Sequence, residues 1–162
     1  MEAFLMEKAN AKVIIGPVDL NTAAVTGARF PVNGYNRISF LIAVAAGTTI
    51  LSRTFTLRQH NAASSGTSKD LSGTNPYYHK VNAAAVFTKV EPTVAAAAYD
   101  FLTLVGDNKA LIVLEVLAED LDVNGDFNYV SVDSADSGAA SLGMVLAVGH
   151  ADSKPAYGQS DI

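Results

Sequence analysis

The sequence contains no cysteine among its 162 residues. This absence excludes a disulfide framework, a thiolate zinc site, an iron–sulfur cluster and a cysteine nucleophile. Charged residues are also few, at 17% against 49% hydrophobic residues. Disordered chains have the opposite balance, polar and highly charged. The length suits one domain that buries a core of its own and needs no metal or disulfide to fold.

Long hydrophobic runs are missing as well. Apolar stretches such as residues 40–46 and 110–114 are far shorter than the ~18 residues of a membrane-spanning helix. At the N-terminus, Glu2, Glu7 and Lys8 interrupt any run that would resemble a secretory signal. We therefore expect a protein that is made and kept in a cytoplasm, with no membrane partner.

Basic residues are scarce in the second half of the chain. Residues 1–90 hold nine Lys/Arg and four Asp/Glu, a net charge of +5, whereas residues 91–162 hold two and twelve, a net charge of −10. The asymmetry fits either electrostatic matching between partners or two halves that interleave and mix their charges. Nucleic-acid binding is not expected, because the basic residues are scattered and the pI is near 5.0.

Alternation of apolar and polar residues with a period of two recurs along the chain and is typical of half-buried strands. Eight segments are strand candidates: 12–18, 37–44, 50–60, 86–91, 99–105, 110–118, 127–133 and 142–149. Pro17 makes the first of them an edge strand. Gly106, Asp107 and Asn108 separate the fifth and sixth segments and predict a hairpin between them.

These segments, without any long helical period, predict an all-β fold: an antiparallel β-sandwich, jelly-roll-like, of about eight strands. We assign residues 13–150 to this domain, residues 1–12 to an extended N-terminal arm and residues 151–162 to a C-terminal tail. Stretches rich in Ser, Gly and Thr at 61–75 and 133–141 predict loops. Residues 118–121 are compatible with one short turn of helix.

The strongest local motif runs from Asp120 to Asp126 and reads Asp-Leu-Asp-Val-Asn-Gly-Asp. It matches the first half of a calcium-binding loop, in which several oxygens surround a cation on a tightly turned backbone. The twelfth position, which should be Glu, is Ser131, and the flanks predict strands rather than helices. We expect a turn in which Asp and Asn side chains bond their own backbone, and no metal ion.

Catalytic patterns are absent. The three histidines, His60, His79 and His150, do not have the spacing of a helical metal pair. There is neither a Gly-x-Ser-x-Gly elbow nor a phosphate-binding loop. We expect no enzymatic activity and no cofactor.

Two apolar clusters are candidate interface residues. Phe4, Leu5 and Met6 have no place in the sandwich pattern, so we expect the arm to contact a partner or, alternatively, to form an edge strand. Tyr77 and Tyr78 lie in an aromatic and basic cluster beside the long loop. Exposed aromatic residues suit interfaces, and core packing is the ordinary alternative.

The overall pattern resembles a group of small tailed-bacteriophage virion proteins. The segments that carry the resemblance are Ala85–Val90, Val113–Val123, Phe127–Val132 and Leu142–Val148, with Asp19–Ala23 and Asn36–Phe40 fitting as well. The resemblance implies a non-enzymatic β-sandwich that assembles with copies of itself and with a shell or tail component.

The subgroup that we favour is the capsid decoration, or cement, protein. It implies a homotrimer on the surface of the virion head, made in the host bacterial cytoplasm, with the major capsid protein as partner. Two alternatives stay open: another virion subunit (tail tube, head completion or fibre) and a calcium-dependent carbohydrate-binding module.

Overall fold

The computed structural model describes residues 9–46, 54–82, 84, 86–101 and 109–151. Within these residues no helix is long and apolar enough to cross a membrane. The strands described are β1 (Ala9–Asp19), β2 (Phe30–Pro31), β3 (Arg37–Val44), β4 (Thr54–His60), β5 (Ser68–Asp70), β6 (Tyr77–Val81), β7 (Thr88–Val90), β8 (Ala98–Asp100), β9 (Ala110–Leu117), β10 (Tyr129–Ser134) and β11 (Leu142–His150). Two 3₁₀ turns, Ala118–Asp120 and Val123–Gly125, connect β9 to β10.

The strands form two antiparallel sheets. The six-stranded sheet has the order β1-β11-β3-β9-β6-β7, and the second sheet has the order β2-β10-β4-β5. In the second sheet, β5 and β8 share one edge of β4, since β5 pairs residues 58–60 and β8 pairs residues 54–56. The buried faces of the two sheets contribute to one core, which agrees with the predicted antiparallel β-sandwich.

Strand pairing is nested from the ends of the chain inwards. β1 pairs with β11, β2 with β10, β3 with β9 and β4 with β8, all antiparallel. The pairs β11–β3 and β10–β4 then join these ribbons side by side. Each of the two sheets therefore depends on contacts between residues far apart in the sequence.

The core lies between the sheets and follows the pleat of the strands. Ile38, Phe40 and Ile42 alternate along β3 and are 0% exposed, because every second side chain of a strand points to the same face. The second sheet meets them with Phe55 on β4 and Val130 on β10, both buried in the same cluster.

All eight predicted strand segments contain part of an observed strand, and β3 has the predicted limits. β1 lies at the edge of its sheet, as Pro17 predicted. The described residues nevertheless form eleven strands rather than about eight. The three additional strands are β2, β5 and β6. β2 and β5 escaped prediction because they have only two and three residues. β6 escaped because its apolar and polar residues do not alternate, and all five of its residues are half-buried.

Two predicted boundaries change. Ala9 pairs with His150, so residues 9–12 belong to the sandwich and not to the predicted arm. β5 lies within the predicted loop 61–75. The short turn of helix at 118–121 is confirmed as a 3₁₀ turn.

The hairpin predicted around Gly106 would pair the strand before it with the strand after it. This pairing is wrong for the described residues, which form β8 and β9. β8 pairs with β4 in the second sheet, whereas β9 pairs with β3 and β6 in the six-stranded sheet. The predicted turn residues, Gly106 to Asn108, lie outside the described residues. The strands on either side belong to different sheets because the nested order gives β9 a partner at β3. Local turn residues do not encode that choice.

The basic and acidic halves of the sequence interleave, as the mixing hypothesis predicted. β11 lies between β1 and β3, and β10 lies between β2 and β4. Ion pairs join the halves directly: Arg37 with Glu115 (3.6 Å), Arg58 with Asp133 (3.0 Å) and Lys69 with Asp122. The basic and acidic segments of the sequence are therefore mixed within both sheets and do not form two oppositely charged halves of the molecule.

A close backbone approach at Gly27 provides a test of the sandwich. The Gly27 N–H donates to Asp133 Oδ1 (2.9 Å), and a Cβ at this position would overlap the Val132 carbonyl oxygen and lie 2.7 Å from Ile14 Cγ2. We expect Gly27→Ala to lower the free energy of unfolding by about 1–3 kcal/mol, measured by urea denaturation.

Gly16→Ala is the matched control, because nothing lies within 4 Å of its added Cβ. This variant should stay within about 0.5 kcal/mol of the original protein. Equal denaturation midpoints for the two variants would contradict the packing of Gly27 against β10.

Candidate functional site

The six-stranded sheet has a second apolar face, on the side away from the core. On β9, Ile112 and Leu114 point into the core, whereas Leu111 and Val113 are half-buried on the opposite face. On β11, Val145 and Ala147 are buried, and Met144 and Leu146 alternate with them. Apolar side chains therefore occupy both faces of these central strands.

The strand register aligns these outward residues across five strands. One row crosses the sheet through the mutually paired positions Val13 (β1), Leu146 (β11), Leu41 (β3), Val113 (β9) and Tyr78 (β6). A neighbouring row contains Met144, Ala43 and Leu111. We call these eight residues the outer apolar face. Val13, at its margin, is 51% exposed.

An outer face of this kind is unusual for a half-solvated sheet. Antiparallel sheets with one face on the core normally carry polar residues on the other face, and strands that are apolar on both faces are typical of sheets covered on both sides. Large contiguous apolar patches on a protein surface commonly mark interaction sites. The outer apolar face is therefore the leading candidate for a binding surface.

Polar groups gather at one end of this face. Ser39 Oγ donates to Glu115 Oε1 (3.1 Å) and lies 3.0 Å from His150 Nε2, and Arg37 pairs with the same carboxylate. Burial lowers the pKa of His150, and the Arg37 guanidinium lowers it further while Glu115 opposes this effect. The opposite end of the sheet carries Lys80 and Lys109.

The structure separates the two predicted interface tyrosines. Tyr77 faces the core, where its ring makes edge-to-face contacts with Tyr99 (5.6 Å between centroids) and Phe101 (5.5 Å). Tyr78 lies on the outer apolar face, opposite Val113. Tyr77 is thus a packing residue, and Tyr78 is available to an interface. Phe4, Leu5 and Met6 lie outside the described residues.

The rest of the outer apolar face was missed from the sequence, although a signal was present. Residues 110–114 form an uninterrupted apolar stretch within β9. Such a stretch is typical of a strand covered on both faces.

A buried histidine links three strands of the second sheet. His60 on β4 is 2% exposed, its Nδ1 lies 2.6 Å from Ser68 Oγ on β5, and its Nε2 lies 2.8 Å from Ser131 Oγ on β10. Burial lowers its pKa to about 4, and the positive charges of Arg29 and Arg58 contribute. The neutral ring therefore bridges two hydroxyl groups at neutral pH.

This histidine has a structural geometry rather than that of a catalytic triad. Both ring nitrogens contact serine hydroxyls, and Ser131 is 0% exposed. A triad needs a third group that orients the base and a nucleophile that substrate can reach. Neighbouring Arg29 donates to the carbonyl oxygens of Ala62 and Ser65, 2.6 Å each, which holds the loop after β4 against the sheet.

Two carboxylates of the loop from Asp120 to Asp126 are engaged by other groups of the chain. Asp122 accepts from Lys69 Nζ and from the Gly125 N–H (3.2 Å), and the Lys69 ammonium holds the pKa of the Asp122 carboxyl below its usual range. Asp120 accepts from the Leu117 N–H (3.1 Å). Across the part of the chain that the structure describes, no group of three or more His, Asp or Glu could hold a metal ion.

A cleft of about 240 Å³ lies beside this loop, with Tyr35 and Phe127 in its wall. Carbohydrate-binding sites use exposed aromatic rings as stacking platforms, but both of these rings are engaged. The Tyr35 ring packs on Phe30 (5.5 Å between centroids), and Phe127 is 7% exposed beneath the Lys69 ammonium, 4.4 Å from its centroid. The cleft therefore offers little to a sugar.

Comparisons with known proteins do not assign the chain to a family: no family model, no curated protein and no solved structure matches it. The candidate surface consequently rests on the geometry described above.

The buried His60 predicts an acid-dependent loss of stability. Its pKa is about 4 in the folded protein, against 6.5 for an unperturbed histidine, so the unfolded chain binds more protons between these values. The free energy of unfolding should then fall by up to about 3 kcal/mol as the pH is lowered from 6.5 to 4. Urea denaturation across this range, compared with His60→Gln, measures the contribution. An identical pH slope in the variant would refute it.

The occupied carboxylates predict no calcium effect on the folded protein. Millimolar Ca²⁺ should leave the melting temperature unchanged, because a cation at this loop would have to displace the Lys69 ammonium from Asp122. Thermal denaturation with Ca²⁺ and with a chelator tests this expectation. A reproducible rise in melting temperature that Asp120→Asn abolishes would restore the calcium-site hypothesis.

Proposed function

We propose that this protein is a non-enzymatic capsid decoration (cement) protein of a tailed bacteriophage. It binds the outer surface of the expanded head and stabilises contacts between capsomers of the major capsid protein. The sequence resemblance suggested this role, and the order of the strands in the two sheets supports it. The accompanying prediction of a homotrimer on the virion surface stays a prediction.

The proposal includes a finer fold assignment, a jelly roll formed by eight of the strands. The nested pairs β1–β11, β2–β10, β3–β9 and β4–β8 support it, because a jelly roll is an antiparallel ribbon of paired strands rolled into two sheets. On this assignment β5, β6 and β7 are an insertion between the fourth and fifth strands of the ribbon. Jelly rolls are used by viral capsid and lectin domains, among others.

The outer apolar face supports an assembly role. A decoration protein has to bury apolar surface against its neighbours, at about 25 cal/mol per Å² before the costs of association. A half-buried row of Val, Leu and Tyr side chains across five strands is suited to that task. An active-site cleft would instead gather perturbed titratable groups in a pocket, and the described residues place the one strongly perturbed histidine inside the core.

A second virion role is the main alternative. A tail-tube subunit would form rings and would need a long hairpin for stacking. The predicted tip of such a hairpin, residues 61–75, contains β5, which returns to pair with β4, and Arg29 holds its first part against the sheet. These contacts favour a fixed sheet extension over a projecting hairpin. Ring-shaped particles by negative-stain microscopy would support the tube alternative.

Binding to capsids provides the direct test. We expect the purified protein to co-sediment with expanded, undecorated shells and to saturate at a fixed number of copies per major capsid subunit. The ratio would report which symmetry axis of the shell is occupied. Absence of binding to well-formed expanded shells would contradict the cement role.

A truncation addresses the predicted arm. Deleting residues 1–8, which precede β1, should weaken shell binding while leaving the melting temperature nearly unchanged. The control is Val94→Ser, a substitution at an exposed residue between β7 and β8 (74% exposed). Undiminished shell binding by the truncated protein would reject Phe4, Leu5 and Met6 as contact residues.

A further inference from the structure

We propose that the outer apolar face is the interface of a homodimer, in which a second copy of this chain covers it across a twofold axis. The inference extends the self-association that belongs to the proposed function. It rests on the surface alone, however, and would stand for a protein that never binds a capsid. It also replaces the predicted trimer by a twofold pair as the basic unit.

The outer side of the six-stranded sheet is large enough for a stable pair. Strands lie about 4.8 Å apart and rise about 3.4 Å per residue, so the six strands of this sheet cover roughly 700 Å². A standard protein–protein interface buries about 800 Å² on each partner. The outer side of the sheet therefore provides nearly the whole area required. Every second residue of a strand points outward, so the eight apolar residues account for roughly 260 Å² of it and polar groups surround them.

The chemistry of the face identifies its partner as another copy. None of its eight residues is charged, and Lys80 and Lys89 continue its two rows only at the margin formed by β6 and β7. A nucleic acid or a strongly charged protein would therefore find no counter-charge across the middle of the face. A twofold interface places one patch against itself and therefore requires a surface that is complementary to its own copy. A broad sheet face of neutral apolar residues meets this requirement, and homodimer interfaces are more apolar than the interfaces of transient complexes.

The charges at the two ends of the sheet favour one orientation of the second copy. Lys80 and Lys109 lie at the end where β9 begins, and Glu115 lies near the end where β9 finishes. If the second copy ran in the same direction, the lysines would face their own counterparts. Rotation about an axis that lies between the sheets and perpendicular to the strands reverses the copy. The lysines of the two protomers are then separated, and each lysine end faces the end where Glu115 is paired with Arg37.

Sedimentation equilibrium tests the dimer directly. We expect a concentration-dependent monomer–dimer equilibrium for the original protein. Val13→Lys and Val113→Lys should each raise the dissociation constant roughly tenfold or more, because they place a charge in the apolar contact. Val123→Lys is the matched control and should leave the constant unchanged. Val123 is 68% exposed on a 3₁₀ turn between the sheets.

Folding of each variant is checked by its melting temperature, and Val13→Lys is the safer probe because Val13 is already 51% exposed. A protein that is monomeric throughout the accessible concentration range, or one that is only trimeric, would overturn the proposal. A dimer that both lysine variants leave intact would overturn it as well. A monomeric Val13→Lys variant that still saturates capsid shells would separate this interface from the proposed function.

The cysteine-free sequence permits a second measurement that introduces no charge into the apolar contact. Leu41 lies on β3 in the middle of the five-strand row, close to where the twofold axis would pass. We expect a bifunctional maleimide that spans about 10 Å, the usual separation of stacked sheets, to cross-link Leu41→Cys into a covalent dimer and to leave Val123→Cys largely monomeric under the same conditions. Equal yields of covalent dimer from the two variants would contradict the placement of the axis.

Discussion

The antiparallel pairing of the first strand with the last is the contact on which the rest of this fold depends. β1 pairs with β11 from Ala9 opposite His150 to Asp19 opposite Leu142, and the other principal pairs are nested inside it. β11 lies between β1 and β3, so the ladder also anchors the last strand in the middle of the sheet. Such contacts cost loop-closure entropy before they contribute stability, and they form only when most of the chain is in place.

The central strands of the six-stranded sheet serve two surfaces at once. The same strand supplies the core through Ile112 and Leu114 and the outer apolar face through Leu111 and Val113. A slip of one residue in the register would exchange these two sets of side chains. Because both sets are apolar, the exchange by itself would cost little free energy. Glu115 provides a penalty, because a slip would turn its carboxylate from Ser39 and Arg37 towards the core, where an unpaired charge is costly.

Polar contacts in the second sheet play a comparable role. This sheet has short edge strands, and the buried His60 joins β4 to β5 and β10 through two serine hydroxyls. Arg29 adds two charge-assisted bonds that hold the loop before β5. The histidine bridges are neutral at pH 7 and lose stability in acid. The six-stranded sheet relies more on apolar area, but burial lowers the pKa of its His150 as well, so acid weakens contacts in both sheets.

The sequence by itself determined the fold class, the eight segments that contain strands, the edge position of the first strand and the short turn after β9. These features follow from period-two alternation, from Pro17 and from turn residues, all of which act within a few neighbours along the chain. Only the tertiary structure decided the nested pairing, the placement of β8 and β9 in different sheets, the burial of His60 between two serines and the alignment of Val13, Leu41 and Tyr78 on one face. Alternation shows that a strand has two faces, but the partners of each face come from distant parts of the chain. That selection depends on how the whole core packs, because pairing energies between similar apolar strands differ too little to specify a partner locally.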